Sequence, residues 1–132
     1  MASTTVGPHV TDRHVQSAAG TPISLDQSRR GCGPMGPWLI TPDELPKPDD
    51  LAITCSVDGE TVQDARNSDP FSDILRLVAD ATWVPPLLPG GANIAATPAG
   101  VGIVRRPPSF LAKGQILESG TNGIQWIQNR CL

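Results

Sequence analysis

Proline and glycine interrupt this chain so often that a long, unbroken helix has little room to form. There are fourteen Pro and thirteen Gly in 132 residues. Proline removes a backbone donor and fixes φ, whereas glycine supplies the conformations that tight turns require. With three Trp, two Phe and no Tyr beside them, this punctuation argues against a helical bundle. It suits short strands joined by many turns. A chain of this length fits one domain and buries roughly two-thirds of its unfolded surface, enough for a core.

The apolar pattern between the turns predicts the elements. The first thirty residues lack sustained periodicity and read as a loop with one short strand around His9 to Thr11. Residues 37–41 form a short apolar run, expected as a buried strand, and residues 42–50 a polar, Pro-rich connection. Leu51, Ile53, Cys55 and Val57 alternate with small or polar neighbours, the period-two pattern of a half-buried strand. Asp58-Gly59 then signals a two-residue hairpin, with a returning strand over residues 60–63.

Ser68-Asp69-Pro70 opens the main expected helix, over about residues 69–80. Ser68 or Asp69 can cap it, and Pro70 is tolerated in the first turn. Phe71, Ile74, Leu75 and Val78 share one face, and Pro85-Pro86 ends the helix. Residues 93–96 are a candidate strand. Residues 115–118 and 124–127 make a final hairpin around Thr121-Asn122-Gly123. The predicted class is α+β, mainly β, with one main helix.

Charge and cysteine content narrow the function classes. The net charge is −3, and the basic residues are scattered apart from Arg29-Arg30 and Arg105-Arg106. No phosphate-tracking patch results, so nucleic acid is not an expected partner. No run approaches the ~18 apolar residues of a membrane helix, and the first twenty residues lack the apolar segment of a secretory signal. Cys32, Cys55 and Cys131 are odd in number and widely spaced, which suits reduced thiols. A cytoplasmic protein is expected.

Several segments carry a family resemblance. Gly33-Pro34-Met35-Gly36-Pro37-Trp38 resembles the P-x-G-P-W signature of the fumarylacetoacetate hydrolase family, and Ala96-Thr97-Pro98-Ala99-Gly100-Val101-Gly102 resembles its G-T-P-x-G-V-G signature. Val10-Thr11-Asp12-Arg13 through Gln16 is similar to the family's N-D-V-S-x-R-D-x-Q segment, and Asp58-Gly59 through Gln63 to its N-G-x-x-x-Q hairpin. Asn67 to Phe71, Leu88-Pro89-Gly90, Arg106-Pro107-Pro108 and Ala112-Lys113-Gly114 follow in the family's order. The match runs from about Val6 to Asn129 and corresponds to the C-terminal part of the family's catalytic domain.

The resemblance implies a single FAH-like domain, a roll of layered mixed β-sheets that usually assembles as a dimer. The family's enzymes cleave C–C bonds in dicarbonyl acids, decarboxylate oxo-dicarboxylates or isomerise dienoate acids. It implies Mg²⁺ or Mn²⁺ held by carboxylates, since a hard cation stabilises the enolate or oxyanion formed in such reactions. Arg13 and Gln16 match residues lining the substrate pocket, and Thr97 matches the Thr that binds the substrate's acid end. On a structural reading, Arg13 instead holds its turn by pairing with Asp12 or backbone carbonyls, and Thr97 starts a tight turn.

Other positions depart from the family's pattern. His9 stands at the metal-ligand Asp, and imidazole suits softer cations better than Mg²⁺. His14 stands at the second Asp and reads as a surface residue. Gln27 falls near the catalytic Lys; Arg29 or Arg30 can replace its charge or form a solvated pair. The E-x-E pair supplying the other metal carboxylates lies upstream in the family, and none of the eight residues before His9 is acidic. Ala96 replaces the Gly of G-T-P, and Gly91 the Asp of P-G-D. No catalytic residue is assigned, and metal binding is expected to be weak or lost. Uncovered sheet edges lead us to expect a homodimer or hetero-complex. Two classes stay open: an enzyme acting on small oxo-acids or dicarbonyl compounds, and a non-catalytic partner subunit or ligand-binding pseudoenzyme.

Overall fold

The computed structural model describes residues 3–19, 26–45, 47–68, 74–83, 88–94 and 97–132. In chain order the elements are β1 (Thr4–Val6), α1 (Arg13–Ala19), β2 (Gly36–Ile40), β3 (Ala52–Val57), β4 (Glu60–Arg66), α2 (Ile74–Ala81), a 3-10 turn at Gly102–Val104, β5 (Ile116–Thr121) and β6 (Gln125–Arg130). Strands β1 and β2 form one sheet; β4, β3, β5 and β6, in that order, form the other. Each pairing is antiparallel. The α+β, mainly β class holds.

Two turns set the larger sheet. Asp58 and Gly59 have φ of 50° and 84°, the paired left-handed conformations that match the twist of a two-residue hairpin. Val57 therefore pairs with Glu60. The Asp58 carboxylate accepts hydrogen bonds from the Ile116 N–H at 2.8 Å and Gln115 Nε2 at 3.1 Å, fastening the turn to the start of β5. The second hairpin turns through Asn122, Gly123 and Ile124, between the Thr121–Gln125 pair. Both hairpins stand where the sequence places them, with β4, β5 and β6 longer than expected.

Asparagine side chains stitch the connection before β3. Asn67 Oδ1 accepts from the Leu51 N–H at 2.5 Å, while Asn67 Nδ2 donates to the Pro48 carbonyl at 2.6 Å. Asn122 Oδ1 accepts from the Ala52 N–H at 2.6 Å. These bonds bring Leu51 and Leu45 under the β5–β6 turn. The core cluster is Val6, Leu45, Leu51 and Ile124, with Ile40 and Ile127 packed against it. It sits where the two sheets meet.

The N-terminal third differs from expectation. Residues 9–11 are not a strand; the strand is β1, and residues 7–12 connect it to α1. Its seven residues, RHVQSAA, carry too few apolar positions for periodicity to reveal a helix, so the cap at Asp12 determines it. Strand β2 forms where expected but is not buried: Trp38 and Leu39 are 58% and 73% exposed. Ile40 at its end packs against the core cluster, while Pro37, Trp38 and Leu39 stay exposed.

Helix α2 occupies the later part of its expected span. Residues 69–73, with Asp69, Pro70 and Phe71, lie outside the described residues, as do Pro85 and Pro86. The Ser68 hydroxyl lies 3.3 Å from Asp50 Oδ1 as a donor. Asn93 and Ile94 belong to no strand, which corrects the expectation there; Ala95 and Ala96 lie outside the described residues.

Candidate ligand-binding site

Asp12 organises the first candidate site. Its Oδ1 accepts from the His14 and Val15 N–H groups at 3.1 and 3.2 Å, and its carbonyl takes the first helical bond from the Gln16 N–H at 3.1 Å. This is the N-cap of α1, satisfying donors that the first turn leaves open. Its other oxygen, Oδ2, pairs with Arg29 Nη1. Three further bonds tie this segment to the following loop: Val10 N–H to Cys32 O at 2.7 Å, Asp12 N–H to Asp26 O at 2.8 Å, and Gln27 Nε2 to Thr11 Oγ1 at 3.1 Å.

The result is an open depression of about 640 Å³ whose lining includes Thr11, Asp12, Arg29, Arg30, Cys32 and Leu132. Arg29 is occupied by Asp12. Arg30 lines the same depression, and among the described residues no carboxylate pairs with it. Thr11, Cys32 and Arg30, a guanidinium without a carboxylate partner among the described residues, thus line a concavity with an apolar edge. Such a surface suits a small carboxylate-bearing molecule, because guanidinium binds carboxylates through directed, charge-assisted hydrogen bonds.

The Asp12 carboxyl lies below its ordinary range, chiefly through the Val15 N–H bond and also through Arg29 and the His14 N–H, with partial burial opposing. Its folded pKa is therefore below the unfolded one. The stabilisation is complete above the unfolded carboxylate range and is lost as pH falls through the folded value. Thermal melts between pH 7 and pH 2.5 should show the parent losing more stability below about pH 4 than Asp12→Asn, which keeps a capping oxygen but has no charge. Equal acid losses would remove Asp12 from this role.

The sequence-predicted residues divide between two places. Arg13 Nη1 donates to Gln16 Oε1 at 2.6 Å, so these two meet on the first turn of α1. The cation that pairs with Asp12 is Arg29, not Arg13, because Arg13 faces its i+3 neighbour along the helix. Thr97 is exposed in a separate loop, and among the described residues no hydrogen bond joins it to Arg13 or Gln16. His9 is exposed beside Gly33, and His14 is exposed too, as expected of a surface residue.

The Thr97 loop is built onto β4. Cys55 pairs with Gln63 and Ser56 with Thr61, so Val62 is an extra residue in the ladder, a β-bulge. Its carbonyl accepts from Arg105 Nη2 at 2.7 Å, and Arg105 Nε donates to the Gly100 carbonyl at 3.1 Å. Gln63 Nε2 donates to the Pro98 carbonyl at 2.9 Å. Gly100, at φ 102°, lies so close that a Cβ there would run into the Val62 carbonyl.

The family model described as Fumarylacetoacetate (FAA) hydrolase C-terminal matches residues 2–131. This chain belongs to that family. A Mycobacterium smegmatis protein solved as a candidate HpcE superposes with a TM-score of 0.91 and 38% identity, over 99% of this chain and 49% of its own. A 5-carboxymethyl-2-hydroxymuconate delta-isomerase from the same organism gives 0.83 and 30%, over 97% and 47%. A fumarylacetoacetate hydrolase from Exiguobacterium antarcticum gives 0.85 and 27%, over 92% and 43%. The chain spans about half the length of these solved proteins and 40% or less of the first curated relatives, from staphylococci.

Divalent metals are general in the fumarylacetoacetate hydrolase family, but the described residues of this member do not fit Mg²⁺ or Mn²⁺. His9, which the resemblance sets at a metal-ligand position, is a nitrogen donor, whereas a hard cation takes several oxygens. No group of three His, Cys, Asp or Glu side chains gathers among the described residues. The three cysteines are free thiols, with buried Cys55 accepting from Ser119 Oγ at 3.4 Å. No helix among the described residues is long and apolar enough to cross a membrane.

Proposed function

We propose that this chain binds a small oxo-acid or dicarbonyl compound, with Arg13, Gln16 and Thr97 as inherited binding groups and Arg30 as an added cation. Its lineage is that of hydrolases, decarboxylases and isomerases acting on such acids. The observation that carries the reading is Arg30, a guanidinium with no carboxylate partner among the described residues, at a depression whose wall is the segment leading into Arg13 and Gln16. It offers positive charge in the region where the family places a catalytic Lys. His9 stands at the family's Asp position, so we propose that the metal site is degraded and that this chain alone does not perform the metal-dependent step.

Titration calorimetry with oxaloacetate, with and without Mg²⁺, tests this. Saturable binding that is indifferent to Mg²⁺ is expected, weakened about tenfold or more in Arg30→Ala and Arg13→Ala, each of which removes a charge-assisted bond. Binding only with Mg²⁺ would restore the metal site, and absence of binding would overturn the reading. Variants that melt lower but bind like the parent would make the two arginines structural.

A second reading, a non-catalytic partner subunit in a homodimer or hetero-complex, is favoured by the apolar surface. Trp38, Trp83 and Trp126 are 58%, 88% and 58% exposed, unusual for residues that lose so much by hydration. Sedimentation at several concentrations should reveal self-association; a monodisperse monomer would count against the homodimer.

A further inference from the structure

The chain's own geometry assigns a role to Arg105, a residue that the family signatures quoted above do not include. We propose that Arg105 is a positioning residue: its guanidinium clamps the loop carrying Thr97 onto the Val62 bulge and so fixes where the Thr97 hydroxyl meets a ligand's acid end. The ligand part rests on the reading of Thr97 under the proposed function.

The bulge is what makes the clamp possible. An ordinary edge strand presents carbonyls at regular intervals, whereas the extra residue at Val62 breaks the ladder and re-aims one carbonyl. Arg105 uses two nitrogens of one planar group: Nη2 on Val62 O and Nε on Gly100 O, at 2.7 and 3.1 Å. One side chain therefore joins the strand to the loop, and Gln63, the next residue of β4, takes Pro98 O. The far end of the segment is closed by the Ser109 N–H on Gly102 O at 3.0 Å. A Cβ on Gly102 would strike the Ser109 carbonyl.

Thr97 is exposed and hydrogen-bonds to nothing among the described residues. Its position is thus set by the anchored residues that follow it, beginning at Pro98. A loop held at Pro98, Gly100 and Gly102 offers the hydroxyl in one place before the ligand arrives, so less ordering is required on binding. Arg105 has both its hydrogen-bonding arms on main-chain carbonyls. Its part is to hold the loop rather than to touch the ligand.

Lysine distinguishes a clamp from a charge, because an ammonium cannot reproduce the two-armed planar fork. Arg105→Lys, Arg105→Ala, Thr97→Val and the double variant Arg105→Lys/Thr97→Val would be compared by oxaloacetate calorimetry and by amide hydrogen exchange. Both Arg105 variants should lose protection at the amides of Val104 and Ser109 while β3 and β5 retain theirs. Both should also weaken oxaloacetate binding about tenfold, as Thr97→Val does. The double variant should bind no worse than Thr97→Val, since one group acts through the other.

Unchanged exchange in Arg105→Ala overturns the clamp whatever the ligand does. Full binding by Arg105→Lys, or additive losses in the double variant, overturns positioning in favour of direct charge. A parent that binds no oxaloacetate overturns the ligand reading and with it the ligand role of Arg105, while the exchange measurement still decides whether the loop is clamped.

Discussion

Gly100→Ala is expected to lower stability by about 2–3 kcal/mol, the combined scale of one strained backbone position and one forced close contact. In melting temperature this is roughly 10 °C for a domain of this size. Two independent costs meet at this residue. Its φ of 102° is a conformation that an L side chain rarely adopts, and a methyl group there would run into the Val62 carbonyl. That obstacle is main chain, held by Arg105, so it cannot rotate aside as a flexible side chain would. Gly114 is the control: its φ of 92° is also positive, but nothing lies within 4 Å of where its Cβ would stand. Gly114→Ala should therefore cost about 1 kcal/mol, the conformational part alone. Denaturant melts of the two variants separate strain from collision, and equal losses would mean that the loop does not press on β4.

The sequence was most legible where a local chemical signal decides the backbone. Asp58-Gly59 and Asn122-Gly123 mark turns that few other residue types can make, and both hairpins stand there. Alternation from Leu51 to Val57 marks β3, although burial in the strand does not follow it, since Cys55 and Ser56 are both buried. Helix α1 was hidden because its existence depends on one cap and a salt bridge to Arg29, a partner brought near only by the fold. Strand β2 misled in burial, since an apolar run shows that a strand is suited to being covered but not by what. Trp38 and Leu39 remain exposed for that reason.

The site was legible through resemblance more than through spacing. Arg13 and Gln16 are brought together by the resemblance alone, and they do touch, on a helix that periodicity does not reveal. The partnership of Arg105 with Val62 could not be read, because it depends on a bulge: Thr61, Val62 and Gln63 look like uninterrupted strand in one dimension. Arg29 and Arg30 are adjacent yet differ in state. Both line the depression, but Arg29 is held by Asp12, whereas no carboxylate among the described residues pairs with Arg30.

Ile124→Ala is expected to have the other large effect, about 2–4 kcal/mol, the usual range for a buried isoleucine truncated to alanine. Ile124 is 3% exposed and meets Val6, Leu45 and Leu51 where the two sheets join. Among the described residues no side chain is fully enclosed, so this small cluster has few neighbours to share a loss. A domain whose whole stability is about 5–15 kcal/mol gives up a large fraction of it at one position. The contrast is Leu39→Ala: at 73% exposure it should change the stability of an isolated chain by less than about 0.5 kcal/mol. Urea unfolding at low protein concentration, where association does not contribute, measures both. If Leu39→Ala proves as damaging as Ile124→Ala under those conditions, β2 is covered in solution, and the centre of the fold must be sought on that face rather than beneath the β5–β6 turn.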